Sequence, residues 1–269
     1  MRDPVAGPRD GAHRSTEAAR TPDPDGWRAR LRADLRPCLR TTFVSGTLVL
    51  AVLIAIPTVL VASALIIFRH TDPPGSMLMA TQRLSGQRID QRWVALPRIS
   101  PALVRAVIAS EDGQFCRHDG IDRSELAAVI EQVEGGDDPT RGGSTITMQV
   151  AKNMFLWNSR SIARKALEIP IALAIERLWS KERIMEVYLN IAEWGQGVFG
   201  AEAAAQLYFR KPASRLTERE AALLAAALPN PLLRVPTRPN QHMLKVAGVI
   251  ESRARIAGPR SACVLAPRR

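Results

Sequence analysis

Hydrophobic and polar positions divide the chain into segments of very different character. Residues 1–40 hold no apolar run; nine arginines, six acids and five prolines are scattered through them. Such a stretch buries too little surface to offset chain entropy, so a disordered tail is expected. From Phe43 to Phe68 the pattern inverts, and FVSGTLVLAVLIAIPTVLVASALIIF carries no charge. At about 1.5 Å per residue a helix of this length reaches roughly 39 Å, enough to cross a hydrocarbon core of about 30 Å with tilt. Pro57 lies inside it, which a membrane helix tolerates better than a soluble one. A buried core helix and a cleaved signal peptide ending near Ala62-Ser63-Ala64 are the competing readings. The apolar run before that site already exceeds the ~7–15 residues of a signal core, so an uncleaved transmembrane helix over 41–68 is expected.

Residues 69–98, with Pro73-Pro74-Gly75 as a turn signal, read as a juxtamembrane linker. The globular part is expected over 99–240, with 241–269 as a C-terminal extension. Its pattern is helical. Ser100-Pro101 offers an N-cap with proline at the first helical position. Ser161 and Ser180 are candidate caps for two further helices. Thr217 to Glu220 forms a capping box ahead of an Ala/Leu-rich segment that Pro229 stops. No sustained period-two alternation competes and no internal repeat is visible, so the fold class is mostly α.

Composition narrows the class. A chain of 269 residues with 46% hydrophobic and 23% charged residues is neither a disordered polymer nor a collagen-like repeat. Three cysteines (Cys38, Cys116, Cys263) are too few for a disulfide framework. The net charge of +11 suits nucleic acid, anionic lipid or a phosphorylated substrate, and charge alone does not choose among them. Position does. Arg28, Arg30, Arg32, Arg36 and Arg40 precede the apolar run, against Arg69, Arg83 and Arg88 after it. This bias places the tail in the cytoplasm and residues 69–269 outside, where nucleic acid is not a partner.

Three clusters could carry chemistry. Val104, Val107, Ile108 and Glu111 fall at i, i+3, i+4 and i+7, setting a carboxylate on an apolar stripe. Burial there would raise its pKa toward the range useful for acid–base work, whereas a carboxylate turning into solvent at the helix end would do nothing. Asp112, Phe115 and His118 follow. The second cluster runs from Arg141 through Gly142, Gly143, Ser144, Thr145, Thr147 and Gln149 to Lys152 and Asn153. Neutral donors and one cation suit sugar hydroxyls and phosphate oxygens; a plain glycine turn with a Ser/Thr cap is the alternative, and the Walker spacing is absent. In the third, Arg164, Lys165 and Glu168 share one helical turn, either as a surface ion pair or as a pyrophosphate cradle. Pro170 is expected to kink the helix that carries them.

Taken together these stretches carry a resemblance. EDGQFCRHDG at 111–120 resembles the E-D-x-x-F-x-x-H-x-G motif of the family 51 peptidoglycan glycosyltransferases. GGSTITMQVAKN at 142–153 and RKALE at 164–168 are similar to that family's second and third motifs. KERIMEVYLN at 181–190 and LLAAALPNP, ending at Pro231, resemble its fourth and fifth. The N-I-A-E-W-G stretch at 190–195 is like that of the monofunctional biosynthetic transglycosylases. The resemblance covers about 90–235.

It implies a lysozyme-like α fold with a large lobe and a smaller membrane-apposed jaw. It also implies polymerisation of lipid II into β-1,4 glycan strands, with inversion at the anomeric carbon and release of undecaprenyl pyrophosphate. By matching position, Glu111 is expected to be the general base toward the acceptor 4-hydroxyl. Glu168 would assist departure of the pyrophosphate, directly or through a divalent cation (Mg or Mn); no cofactor is obligatory. Lys152, Arg164 and Lys165 would hold the pyrophosphate, Asp112, Phe115 and His118 would shape the first motif, and Ser144, Thr145, Gln149 and Asn153 would serve substrate binding. Partners implied are lipid II, the growing glycan strand, the bilayer and other wall-synthesis or division proteins. The location implied is the bacterial inner membrane, single-pass, with a periplasmic catalytic domain. The excess of 28 Arg/Lys over 20 acids after residue 40 suits anionic lipid and diphosphate.

Two departures stand out. Met148 occupies a place where many relatives carry glutamine, which is expected to remove one amide from the cleft. No Ser-x-x-Lys or Lys-Thr-Gly is found, so no transpeptidase activity is expected. Cys116 and Cys263 both fall on the extracytoplasmic side, where a disulfide is one hypothesis and two free thiols the other. A glycan hydrolase on the same kind of fold and a non-catalytic wall scaffold are the rival functions. The hydrolase has no need of the Arg-Lys-x-x-Glu cluster, and the scaffold has no need of two intact glutamates.

Overall fold

The computed structural model describes residues 26–122, 127, 143–157 and 161–265. It separates into two compact units, Met1–Thr58 and Val59–Arg269. Residues 1–25 of the expected tail, and Arg141 and Gly142 of the second cluster, lie outside the described residues.

Helix α1 runs Gly26–Phe68, and within it Gly46–Phe68 is 23 residues long and apolar enough to cross a membrane. The expectation of a disordered tail up to residue 40 is corrected here, since residues 26–40 are helical. Arginine, leucine and alanine are strong helix formers, and adding turns to an existing helix needs no new nucleus.

In the second unit, two sets of helices meet. Helix α3 (Pro101–Glu111) packs on α8 (Glu218–Ala227), and α9 (Gln241–Arg255) packs on both. On the other side α4 (Ile146–Phe155) packs on α5 (Ile162–Leu178) and α6 (Lys181–Ile191). The apolar stripe of α3 is the reason for the first assembly, because Val104, Val107 and Ile108 are fully buried. Caps fix where the helices begin. The hydroxyls of Ser100, Ser161 and Ser180 accept from the N–H groups of Ala102, Arg164 and Arg183, and Thr217 with Glu220 closes the capping box. Helix α5 continues through Pro170.

Residues 69–98 are not a linker. Helix α2 (Met77–Leu84) starts on the Ser76 cap and buries Met79 completely. Strand β1 (Asp90–Gln91) pairs in parallel with β3 (Val198–Phe199), which pairs antiparallel with β2 (Glu193–Gly195), giving the order β1-β3-β2. Asn190 clamps the segment like a backbone mimic: its Oδ1 accepts from Val94 N–H at 2.9 Å and its Nδ2 donates to Val94 O at 2.9 Å. The strands are too short to show alternation, so only the pairing reveals them.

Residues 241–269 are likewise no appendage. Met243, Ala247, Ile250 and Ala254 bury one face of α9 in the core, and Cys116 is joined to Cys263 with Cα atoms 5.7 Å apart. Cys263 belongs to the short helix α10 (Ala262–Leu265), which follows the 3-10 turn Pro259–Ser261. The remaining helix, α7 (Ala201–Phe209), begins after Gly200, whose φ of 86° and close approach to Asn190 O leave no room for a side chain.

Candidate active site

Glu111 is the last residue of α3, and Asp112 caps it. Its two carboxylate oxygens are held separately: Ser110 Oγ donates to Oε1 at 3.2 Å and Gln149 Nε2 donates to Oε2 at 3.1 Å. Tyr188, fully buried on α6, donates its hydroxyl to Gln149 Oε1 at 3.2 Å and so fixes the amide's orientation. Burial pushes the Glu111 carboxyl above its ordinary value of 4.5; the Gln149 and Ser110 donors and the Lys152 charge oppose the shift, and the Asp112 charge adds to it. Burial pushes the Tyr188 phenol well above 10.0, with the charges of Glu111 and Asp112 adding to the effect, so it remains a donor.

Lys152 links the two carboxylates. Burial lowers its pKa below 10.5, the Arg164 charge acts in the same direction, and the Glu111 charge opposes both. Arg164 in turn is ion-paired with Glu168 one turn along α5, where Glu168 is only 3% exposed. The alternative of a surface ion pair is thereby removed, because this pair sits inside. The order Glu111, Lys152, Arg164, Glu168 sets two cations between two carboxylates. A cleft of about 710 Å³ opens beside Glu111, lined also by Ser144, Gln149, Pro229, Arg253 and Arg260. Glu168 does not line it and joins the constellation through Arg164. Asn153 is half-buried on α4 and Lys165 is exposed on α5.

Four residues expected at the substrate have their polar or aromatic groups used within the protein. Asp112 accepts from His118 Nε2–H at 2.9 Å and from Ile146 N–H at 2.9 Å, tying the first motif to the N-terminus of α4. His118 Nδ1 accepts from Gly120 N–H at 3.1 Å, which leaves Nε2–H as the donor to Asp112. Phe115 is fully buried, edge-on to His118, with Lys181 Nζ 4.5 Å from its ring centre. Thr145 does not line the cleft: its hydroxyl donates to Gly120 O at 2.6 Å and caps α4 by accepting from Met148 N–H. These are positioning residues. Gly120 is required by its φ of 94° and by the contact of α5 at Ala172 and Glu176. Met148 is 1% exposed and part of the core, so its position faces inward and no amide is missing from the cleft.

Sequence reasoning passed over Tyr188, and also Glu176, which accepts from Thr147 Oγ1 at 2.6 Å and from Lys181 Nζ at 2.8 Å. Lys181 Nζ also donates to His118 O at 2.7 Å, so the fourth motif braces the first. No periodic signal marks these residues; their polar atoms sit on faces that are otherwise core. Arg253 and Arg260 went unremarked because they fall outside every motif.

Residues 77–255 match the family model described as Transglycosylase. The chain belongs to the transglycosylase family. Among relatives, the biosynthetic peptidoglycan transglycosylase of Agrobacterium fabrum is 52% identical over 192 residues, covering 71% of this chain and 84% of that protein. The protein of the same name from Brucella suis is 50% identical over 191 residues, covering 71% and 85%. That of Rhizobium meliloti is 45% identical over 238 residues, covering 88% and 94%. The mostly helical domain is therefore the lysozyme-like transglycosylase fold. The matched region takes in all of α9, in keeping with the packing of that helix into the core of this transglycosylase.

Proposed function

We propose that this transglycosylase is a peptidoglycan glycosyltransferase, joining lipid II units into β-1,4 glycan and releasing undecaprenyl pyrophosphate. The observation that carries the reading is a desolvated carboxylate wired through Lys152 to an ion-paired second one. Glu111 takes the proton from the acceptor's 4-hydroxyl. The acceptor oxygen then bonds to the donor's anomeric carbon from the face opposite the pyrophosphate, the bond from that carbon to the pyrophosphate oxygen breaks, and configuration inverts. Acid–base help of this kind is worth about 10²–10⁴ in rate, and the remainder comes from positioning and charge neutralisation. Lys152 and Arg164 neutralise the departing diphosphate, and Glu168 holds the Arg164 guanidinium in place for it.

A protein-held divalent cation does not fit this donor set. Glu168 is already paired with Arg164, Lys152 stands near, and among the described residues no three His, Cys, Asp or Glu side chains come together. No step is routed through a metal.

The apolar segment Gly46–Phe68 is read as a single-pass anchor with the N-terminus cytoplasmic and the catalytic unit periplasmic. The Cys116–Cys263 bridge supports that side, since disulfides persist in oxidising compartments. A membrane-impermeant maleimide should then miss Cys38 in intact cells and label it after permeabilisation. Labelling in intact cells would reverse the orientation.

The decisive assay offers the full-length protein lipid II or finished glycan. Glycan strands and undecaprenyl pyrophosphate made from lipid II are expected. Consumption of finished glycan with lipid II left intact would make the protein a hydrolase.

A further inference from the structure

The cleft beside Glu111 has two walls of different origin. One carries Glu111, Ser144 and Gln149. The other comes from the C-terminal segment, through Arg253 near the end of α9 and Arg260 in the turn that follows. Both arginines are exposed to the cleft, and among the described residues neither guanidinium has a hydrogen bond or ion pair. The contrast with their neighbours is sharp. Arg255 is tied to Glu218 and Glu251, and Arg219 to Glu251, so the acids of this region are spent away from the cleft. Residues 241–269 contain a single acid, Glu251, against six cations.

The wall is also built to hold still. Ala254, Ala257 and Val264 are buried between and around the arginines. Ser261 is 1% exposed, and its hydroxyl donates to Ala257 O at 3.0 Å. Cys263, three residues past Arg260, is bonded to Cys116, five residues past Glu111. The bridge therefore ties the segment just after Glu111 to the segment just after Arg260. A pre-ordered cation binds an anion without the entropy loss of immobilising a loose side chain.

We propose that Arg253 and Arg260 form a second anion-binding subsite, on the acceptor side of Glu111, which grips an oxyanion of the incoming lipid II while its 4-hydroxyl meets the base. The assignment rests on Glu111 being that base. Lys152 and Arg164 do not line this cleft and, in the proposed function, serve the donor's diphosphate. The oxyanion is a phosphate oxygen of the acceptor or a carboxylate of its peptide stem. Both have the planar or near-planar oxygen pair that a guanidinium takes bidentately.

The test uses the full-length protein in detergent, with R253Q, R260Q, the double variant, and R255Q as control. The double variant is expected to raise KM for lipid II about tenfold, the size expected for a lost charge-assisted hydrogen bond at a solvated site, and to lower kcat by less. R255Q should leave KM unchanged. Cys263→Ser should raise KM in the same direction without moving the pH at which Glu111 loses its proton. With a peptide-free lipid-linked disaccharide, a persistent KM penalty identifies the phosphate, and its disappearance identifies the stem carboxylate. A folded double variant with wild-type KM on both substrates would overturn the subsite. Lipid II binding is measured in parallel in a Glu111→Gln background, where the double substitution should weaken it about tenfold. If wild-type protein fails to polymerise lipid II, the functional reading fails, and unchanged binding in that background overturns the subsite separately.

Discussion

The two glutamates of this transglycosylase sit in unlike surroundings. Glu111 ends a helix whose apolar stripe is buried, is itself half-buried at the cleft, and its oxygens meet two neutral donors, Ser110 and Gln149. Glu168 lies mid-helix on α5 with a guanidinium directly against it. Neutral donors in a desolvated place leave a carboxylate able to take up a proton, whereas a cation in contact holds charge in place for another anion. Lys152, felt by both Glu111 and Arg164, joins the two environments. The division of labour therefore follows from what each carboxylate touches, since the side chains are chemically identical.

The largest effect should come from Glu111→Gln, which retains the shape and removes the proposed base. Polymerisation is expected to fall by about 10²–10⁴, measured as glycan formed per unit time, with lipid II binding retained. The same variant should be more heat-stable than wild type at pH 7. The sign follows from burial. The folded carboxyl has a pKa above its unfolded value near 4.5, so the folded state binds more protons in the interval between them, and stability falls as pH rises through it. The difference in Tm between variant and wild type should shrink as pH falls below 4.5. Equal Tm at both pH values would mean that the Glu111 carboxyl is solvated.

Glu168→Gln should be the next most damaging, lowering kcat by roughly 10²-fold through loss of the partner that holds Arg164. If Arg164→Gln and the double variant match it, the pair acts as one unit; additive losses would separate them. A smaller change is expected from Gln149→Leu. Removing a donor to the ionised form of Glu111 raises its pKa further, so the acid limb of the rate profile should move to higher pH. Lys152→Met should shift that limb the same way because its charge also favours the ionised form, while additionally weakening the hold on pyrophosphate. An unmoved limb in both would assign it to another group. Lys165→Gln should do least, at about twofold, since an exposed cation is screened by solvent.

Away from the site, Cys263→Ser is expected to lower stability by roughly 2–4 kcal/mol, measured by denaturant unfolding of the detergent-solubilised protein, because it frees a long loop. The bridge spans 147 residues.

Local signals were readable wherever neighbours in sequence are also the interaction partners. The apolar run, the caps at Ser100, Ser161 and Ser180, the Thr217–Glu220 box and the stripe leading to Glu111 all depend on residues within a turn or two of each other. The boundaries at 69–98 and 241–269 were misjudged for the converse reason. Asn190 clasps Val94 across 96 residues, and Met243 finds its core only after α9 folds back on α3.

The roles of the motif residues divide in the same way. Sequence alone determined which side chains are candidates for chemistry and in what order, because residue type and spacing are written there. Only the tertiary structure decided that Asp112, His118 and Thr145 are spent on one another's support, that Gln149 is aimed by Tyr188, and that two arginines outside every motif face the cleft. Burial, which sets whether a carboxylate is a base or a partner, is a property of everything packed around it, and those atoms come from distant parts of the chain.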